Sequence, residues 1–195
     1  MDISNLLCGG RRARRDAGVT MIELLIVVLI GAVLAVIAAP SLQSVLRSTR
    51  QNSAMGELLS DLNFARGEAI KRNSRVLLCA RDSAGTNCET SSPDWTRGWV
   101  VCIEGAAAQQ CAASTEARPN PILVHPPLDA SLSLSATNPS SASVFVIRFS
   151  ADSSQTTETV EGTRDGAIAI QMLGNWDGAV ARTLQVAASG NVSRQ

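Results

Sequence analysis

The chain has few of the residues on which most enzyme chemistry depends. It contains no tyrosine and one histidine, and aromatic residues make up 3% of its 195 positions. The lone His125 excludes a histidine-based metal cluster, and we find no G-x-S-x-G, P-loop, G-x-G-x-x-G or H-E-x-x-H motif. His125 precedes Pro126-Pro127, so we expect a surface residue at a strand end. We therefore predict a protein that is not an enzyme and has no cofactor and no metal site.

A basic segment followed by a long apolar run opens the chain. The apolar run continues to Ala39, and the segment before it carries Arg11, Arg12, Arg14 and Arg15. About 20 apolar residues are enough to cross a bilayer as a helix, and flanking basic residues favour the cytoplasmic side. The N-terminus therefore addresses the chain to a membrane.

One acid, Glu23, interrupts the apolar run five residues after Gly18. A lone acid in a membrane span costs about 2.5–3.5 kcal/mol even on lenient scales, so it usually has a partner. A signal peptide cut near residues 38–40 and an uncut signal anchor both account for the run, but neither explains the acid. Snorkelling of Glu23 to the headgroups is a further alternative.

Four cysteines remain after the one in the basic segment, Cys8: they are Cys79, Cys88, Cys102 and Cys111. An even number in an exported domain suggests disulfides, and both sequential pairs have C-x8-C spacing. Three connectivities are open, of which we favour Cys79–Cys88 and Cys102–Cys111. Each closure would contribute about 2.5–3 kcal/mol in the chain-entropy model. Zinc is the rival interpretation, but there is no C-x2-C.

Beyond Pro40 the helical pattern continues, and Pro40 itself should kink the helix. The apolar positions follow the i, i+3, i+4, i+7 rule: Met55, Leu58, Leu59, Leu62, Ala65 and Ala69. Charged residues lie mostly between them, so this half is amphipathic and should pack on a sheet. From Val19 to about Asn73 the helix would extend about 80 Å.

From Arg75 the pattern changes to short apolar or β-branched runs separated by turn residues. The predicted strands are Val76–Cys79, Trp99–Ile103, Ile122–His125, Val144–Phe149, Ala167–Met172 and Thr183–Ala187. The pairs Asp165-Gly166 and Asp177-Gly178 are predicted turns. The predicted loops are Thr86–Asp94, Ala106–Asn120 and Ser135–Ser143.

Gly18 followed by Val19-Thr20-Met21-Ile22-Glu23, an apolar helix and Pro40 resembles a type IV prepilin leader. Val19 stands where that family usually has phenylalanine. The resemblance implies cleavage between Gly18 and Val19 by a prepilin peptidase, which also N-methylates Val19. It further implies that Glu23 pairs with the new amine of a neighbouring subunit, because two buried charges that meet are tolerated better than one alone.

A second stretch, Leu62-Asn63-Phe64-Ala65-Arg66-Gly67-Glu68-Ala69, is followed by Arg75-Val76-Leu77-Leu78-Cys79 and by Trp95 and Gly98-Trp99-Val100-Val101. Over residues 12–103 the chain resembles the GspH/FimT family of minor pilins and pseudopilins. The resemblance implies an α+β fold, in which a long N-terminal helix packs beside antiparallel sheets. Trp95 and Trp99 would then be structural anchors of the head.

The expected organisation is a cleaved leader at 1–18, a transmembrane and assembly half-helix at 19–40, an amphipathic half-helix at 41–74 and a disulfide-bonded β-rich head at 75–195. The resemblance implies a minor type IV pilin that acts through contacts with other pilins. It would be held in the inner membrane with its head in the periplasm before it enters a pilus at the cell surface.

The resemblance leaves two alternatives, a minor pseudopilin of a type II secretion system and a DNA-binding subunit at a pilus tip. For DNA the candidate residues are Arg182 and Arg194. From Val76 to the C-terminus, however, seven basic and eleven acidic residues give a net charge of about −4. That charge is a weak platform for phosphate binding.

Overall fold

The computed structural model of the protein describes residues 18–91, 94–151, 155–159 and 167–195, without the side chains of residues 38–41 and 155–159. The arginines of the leader, Cys8 and the predicted turn at Asp165-Gly166 lie outside the described residues. The chain divides into two compact units, Met1–Gln43 and Ser44–Gln195.

Helix α1 (Met21–Arg72) has a defined cap at each end. At its start the Thr20 Oγ1 accepts a hydrogen bond from the Glu23 backbone N–H at 3.3 Å. Thr20-x-x-Glu23 thus has the spacing of a capping box. At its end Asn73 adopts a left-handed φ of 47°, and the Ser74 N–H donates to the Ala69 carbonyl at 3.2 Å. This C-terminal arrangement is a Schellman motif, with Asn73 in the left-handed position that glycine usually takes.

In the first unit the described large apolar side chains face away from other protein atoms. Between Val19 and Ile37 each of them is between 51% and 87% exposed. Among the described residues no single helix is both long and apolar enough to cross a bilayer. Only the stretches Met21–Ile37 and Leu42–Arg72 taken together have the length and the apolar composition of a membrane span.

The second unit contains two antiparallel sheets. The first has the order β3-β2-β1-β5-β6, with β1 (Val76–Ala80), β2 (Trp99–Ile103), β3 (Leu123–Val124), β5 (Val144–Phe149) and β6 (Gln155–Thr159). The second has the order β4-β7-β8-β9, with β4 (Leu132–Thr137), β7 (Ile168–Gly174), β8 (Arg182–Val186) and β9 (Val192–Arg194). Together with α1, these sheets confirm the predicted α+β fold.

The main core lies between α1 and the inner faces of both sheets. The helix contributes Met55, Leu58, Leu62, Ala65 and Ala69, all at most 1% exposed. These are the apolar positions that the helical periodicity predicted, and only Leu59 of that set is merely half-buried. A helix with one apolar face is stabilised by burying that face against a sheet.

Strands β1, β2 and β5 are buried on both faces. A second apolar cluster covers the outer face of the first sheet, and its members include Leu77, Cys79, Val100, Cys102 and Val146. Because neither face is solvated, these strands are continuous apolar runs rather than alternating ones. This burial explains why they were the easiest strands to predict.

Three strands were missed, and one predicted loop is wrong in part. Residues 135–137 of the predicted loop Ser135–Ser143 belong to β4, where Leu132, Leu134 and Ala136 are buried and the serines between them are exposed. That alternation is present in the sequence, but its small and hydroxylated residues are also typical of a loop. Strands β6 and β9 were missed as well, since one is threonine-rich and the other has three residues.

Candidate assembly surfaces

The residues of the predicted cleavage site precede the helix and are exposed. Gly18 has no other heavy atom within 4 Å of the position that a Cβ would occupy, and Val19 is exposed. Glu23 lies in the first turn of α1, and its carboxylate contacts no charged group among the described residues. A peptidase could therefore reach this segment, and the acid has no partner within its own chain in the described part.

Pro40 lies within the range assigned to α1, but its side chain is not among those described. The kink at this residue stays a prediction.

The structure joins Cys79 to Cys88 and Cys102 to Cys111, with Cα–Cα distances of 5.4 and 5.5 Å. Three of the sulfurs lie within 4.8 Å of one another, but each is in a disulfide and offers no thiolate to a metal. The two pairs are those that the spacing favoured over the zinc interpretation.

The two disulfide loops are tied to each other by Asn87. Its Oδ1 accepts hydrogen bonds from the Cys88 N–H at 2.8 Å and from the Cys111 N–H at 2.9 Å. One side-chain oxygen therefore holds both loops over the outer face of the first sheet. This contact could not be predicted from the sequence, because strand β2 separates the two loops.

A buried ion pair lies beside the disulfides on the same face. The Arg148 Nε donates to both oxygens of Glu104 at 3.0 Å, and the side chains are 8% and 4% exposed. Burial by itself raises the pKa of Glu104. Hydrogen bonds from Arg148 and the Gln109 N–H and the positive charges of Arg148 and Arg75 outweigh that effect, so the pKa lies below its usual range. This pair was not predicted from the sequence, because its members are 44 residues apart.

A polar cluster joins the helix to the first sheet. The Trp99 Nε1–H donates to Asp61 Oδ2 at 2.8 Å, and His125 Nε2 lies 2.8 Å from Glu57 Oε2. Burial raises the pKa of Asp61 above its usual range, although the Trp99 hydrogen bond and the His125 charge lower it in part. Glu57 and Asp61 are one helical turn apart, so a single face of α1 holds both partners.

His125 is not a free surface residue: its ring stacks on Trp99, and its side chain is 12% exposed. Gly98 was the available sign in the sequence that another segment packs closely here, because a Cβ at this position would collide with the His125 and Pro126 carbonyl oxygens. Trp95 and Trp99 are both fully buried, and the Trp95 Nε1–H donates to the Val144 carbonyl at 2.8 Å. Both are structural anchors, as expected.

Arg182 and Arg194 are brought together on adjacent strands. Leu184 is paired with Arg194, so Arg182 is the diagonal neighbour of Arg194 on the helix-facing side of β8 and β9. Arg194 donates to Asn52 Oδ1 at 2.9 Å. Arg182 lines a cavity beside the helix residues Ser48 and Gln51. Their role in DNA binding stays a prediction.

Gln51 links the helix to the second sheet, a contact that was not predicted from the sequence. Its buried Nε2 donates to the Met172 carbonyl at 2.9 Å and to the Val180 carbonyl at 3.0 Å. A polar residue on an apolar helix face was the available signal.

The fold and these surfaces define a class of protein: a pilin-like subunit with an N-terminal helix and an antiparallel β head. Residues 54–190 match the family model described as Type II transport protein GspH, and residues 13–39 match the prokaryotic N-terminal methylation motif. The chain belongs to the GspH family of minor pilins and pseudopilins. No curated protein sequence matches it.

The fold is similar to that of the type IV minor pilin FimU of Pseudomonas aeruginosa strain PAO1. A crystal structure of FimU in space group P21 aligns with a TM-score of 0.52 at 21% identity, over 75% of this chain and 89% of that chain. A second crystal form, P65, aligns with a TM-score of 0.49 at 21% identity, over 74% and 91%.

The family consists of structural pilin subunits, and membership implies assembly with other pilins. The methylation motif further implies a membrane-anchored subunit that later joins a pilus-like assembly.

Proposed function

We propose that the chain is a minor type IV pilin that takes part in starting or extending a pilus through contacts of its helix and head. The observation that carries the proposal is Glu23: an acid in an apolar helical segment, without a charged partner among the described residues of its own chain. An acid in that position is best accounted for by a cation on another subunit. The chain is a structural subunit rather than an enzyme.

In this proposal a prepilin peptidase cuts between Gly18 and Val19 and methylates the new amine of Val19. Residues 19–40 then anchor the subunit in the inner membrane, residues 41–74 continue the helix, and residues 75–195 form the periplasmic head. The exposed apolar side chains between Val19 and Ile37 support this arrangement, because a lipid or another helix would cover them. On assembly, Glu23 pairs with the methylated amine of a neighbour.

The first test is the N-terminus of the mature protein from cells that contain a prepilin peptidase. We expect a chain that starts at Val19 and carries the mass of one added methyl group. A start near Ser41 would mean an ordinary signal peptide and would overturn the proposal.

The second test is Glu23→Ala, with Glu116→Ala as a matched control, because Glu116 is an exposed acid in a loop of the head. We expect Glu23→Ala to abolish recruitment into filaments while processing and head stability are retained, and Glu116→Ala to have no effect. Unchanged recruitment of the Glu23 variant would contradict the charge-pairing account.

The alternative role is that of a pseudopilin in a type II secretion system, which the description of the matching family model favours. Deletion of the gene separates the two machines, since a minor pilin is needed for surface pili and a pseudopilin for secretion of folded exoproteins. DNA binding at the tip is tested by salt-dependent retention of the mature protein on DNA, which a purely structural head should lack.

A further inference from the structure

A cavity of about 320 Å³ lies where the helix meets the turn between β7 and β8. The helix side is formed by residues 44–51, among them Ser44, Ser48 and Thr49, and the turn side by Trp176, Asp177, Val180 and Arg182. Gly174 makes room for one wall, since a Cβ there would collide with the Trp176 ring. The cavity thus combines hydroxyl groups, an indole ring, a carboxylate and a guanidinium group.

The side chain of Arg182 has no partner among the described residues. It makes no hydrogen bond or ion pair with any of them, and its Nε is buried without an acceptor there. A buried donor that is left unpaired destabilises the fold, so such a group favours an acceptor from outside the chain. A guanidinium group is matched by the paired oxygens of a phosphate or carboxylate.

The surroundings of the cavity indicate which anion it takes. Val45 and Val180, which line it, are 59% and 62% exposed, so apolar side chains stand in the open around a polar pocket. Trp176 adds an amphipathic ring of the kind enriched at membrane interfaces. This combination suits a ligand that has an anionic group next to an apolar phase.

We propose that this cavity binds the headgroup of a phospholipid that carries both a phosphate and an ammonium group, as in phosphatidylethanolamine. Arg182 binds the phosphate, the Ser48 hydroxyl donates a further hydrogen bond, and Asp177 receives the ammonium group beside the Trp176 ring. The proposal rests on the membrane anchoring in the proposed function.

The test uses the mature protein in detergent, titrated with single lipids and followed by native mass spectrometry. We expect retention of one phosphatidylethanolamine, weaker retention of phosphatidylglycerol, and none of diacylglycerol. Arg182→Gln should weaken retention by about tenfold or more, the effect of losing one charge-assisted contact. Arg182→Lys should restore part of it, and both variants are first checked for an unchanged melting temperature.

Arg194→Gln is the matched control, because Arg194 lies on the next strand, outside the residues that line the cavity, and it should retain the lipid as the wild type does. Asp177→Asn should reduce the preference for phosphatidylethanolamine over phosphatidylglycerol. Equal loss in the Arg182 and Arg194 variants would overturn the proposal, as would equal retention of diacylglycerol. Binding of inorganic phosphate with the affinity of the lipid would also overturn it and leave a free-anion site. These readouts need no filament, so they fail or succeed independently of the Glu23 test.

Discussion

The imidazole ring of His125 lies flat over the indole ring of Trp99, with centroids 3.7 Å apart and planes inclined by 14°. Its Nδ1 lies 2.8 Å from the Pro126 carbonyl oxygen, and its Nε2 lies 2.8 Å from Glu57 Oε2. The ring is therefore held on three sides, by a carboxylate of the helix, by the backbone at the strand end and by an aromatic face.

A double-mutant cycle with Glu57→Ala and His125→Phe should isolate the contact between these two side chains, because phenylalanine keeps a ring over Trp99. We expect a coupling energy of about 0.2–1 kcal/mol, since Glu57 is largely exposed. Urea denaturation of the wild type, both single variants and the double variant measures it. Strictly additive effects would show that the contact does not link helix and sheet energetically.

Asp61→Asn tests the cost of a half-buried charge at the same junction. The pKa of Asp61 is raised by burial, so the folded state holds the proton more tightly and stability falls as pH rises from the unfolded pKa through the folded one. Asparagine keeps an acceptor for the Trp99 N–H and has no charge to desolvate. We expect an equal or higher free energy of unfolding at pH 7 and a flatter pH dependence.

Asp61→Ala is the contrasting variant, since it leaves the Trp99 N–H without an acceptor and should lose about 1–3 kcal/mol. Denaturant melts at several pH values measure both variants. A large loss of stability in Asp61→Asn at pH 7 would contradict the assignment.

The buried pair of Glu104 and Arg148 should dominate the acid sensitivity of the head. The pKa of Glu104 is lower in the folded state than in the unfolded chain. The stability that the pair contributes is therefore present above the unfolded pKa and is lost as pH falls through the folded pKa. Arg148→Met should cost about 3–5 kcal/mol, because it leaves the Glu104 carboxylate buried with Arg75 as its remaining cationic neighbour, 3.6 Å away.

Arg97→Met is the control for that experiment, since Arg97 forms exposed ion pairs and should change stability by about 0–1 kcal/mol. Urea melts between pH 3 and pH 7 compare the two. Similar losses in the free energy of unfolding in both variants would show that the buried pair stabilises the head no more than an exposed ion pair does.

Removal of the disulfides one pair at a time should reveal that the two loops act together. Each Cys→Ser pair is expected to cost about 2.5–3 kcal/mol. Because Asn87 bonds to both loops, the combined loss should differ from the sum, and Asn87→Ala should speed amide exchange in both loops. Faster exchange in the loop of Cys88 alone would show that Asn87 does not couple them.

The elements that could be predicted from the sequence are those with a local signal. The helix face from Met55 to Ala69 follows from its period, and β1, β2 and β5 from their continuous apolar runs. The equal spacing of the cysteines favoured the observed pairs among three possible connectivities, because short loops close easily. Strand β4 was not predicted, because the serine and threonine residues between its buried positions are also typical of loops.

The contacts that could not be predicted join residues far apart in the sequence. Glu57 meets His125 across 68 residues, and Gln51 meets Met172 across 121. Nothing local marks such pairs, because each depends on how the helix lies across the two sheets. The same limit holds for the cavity at Arg182, whose walls come from two distant segments.

The buried amide of Gln51 also determines where the helix can be shortened. The family match begins at residue 54, but the compact head begins at Ser44. A fragment cut at the family boundary would leave the Met172 and Val180 carbonyl oxygens without their donor and open one side of the second sheet. A soluble form of the head for crystallisation should therefore retain the helix from Ser44 onward.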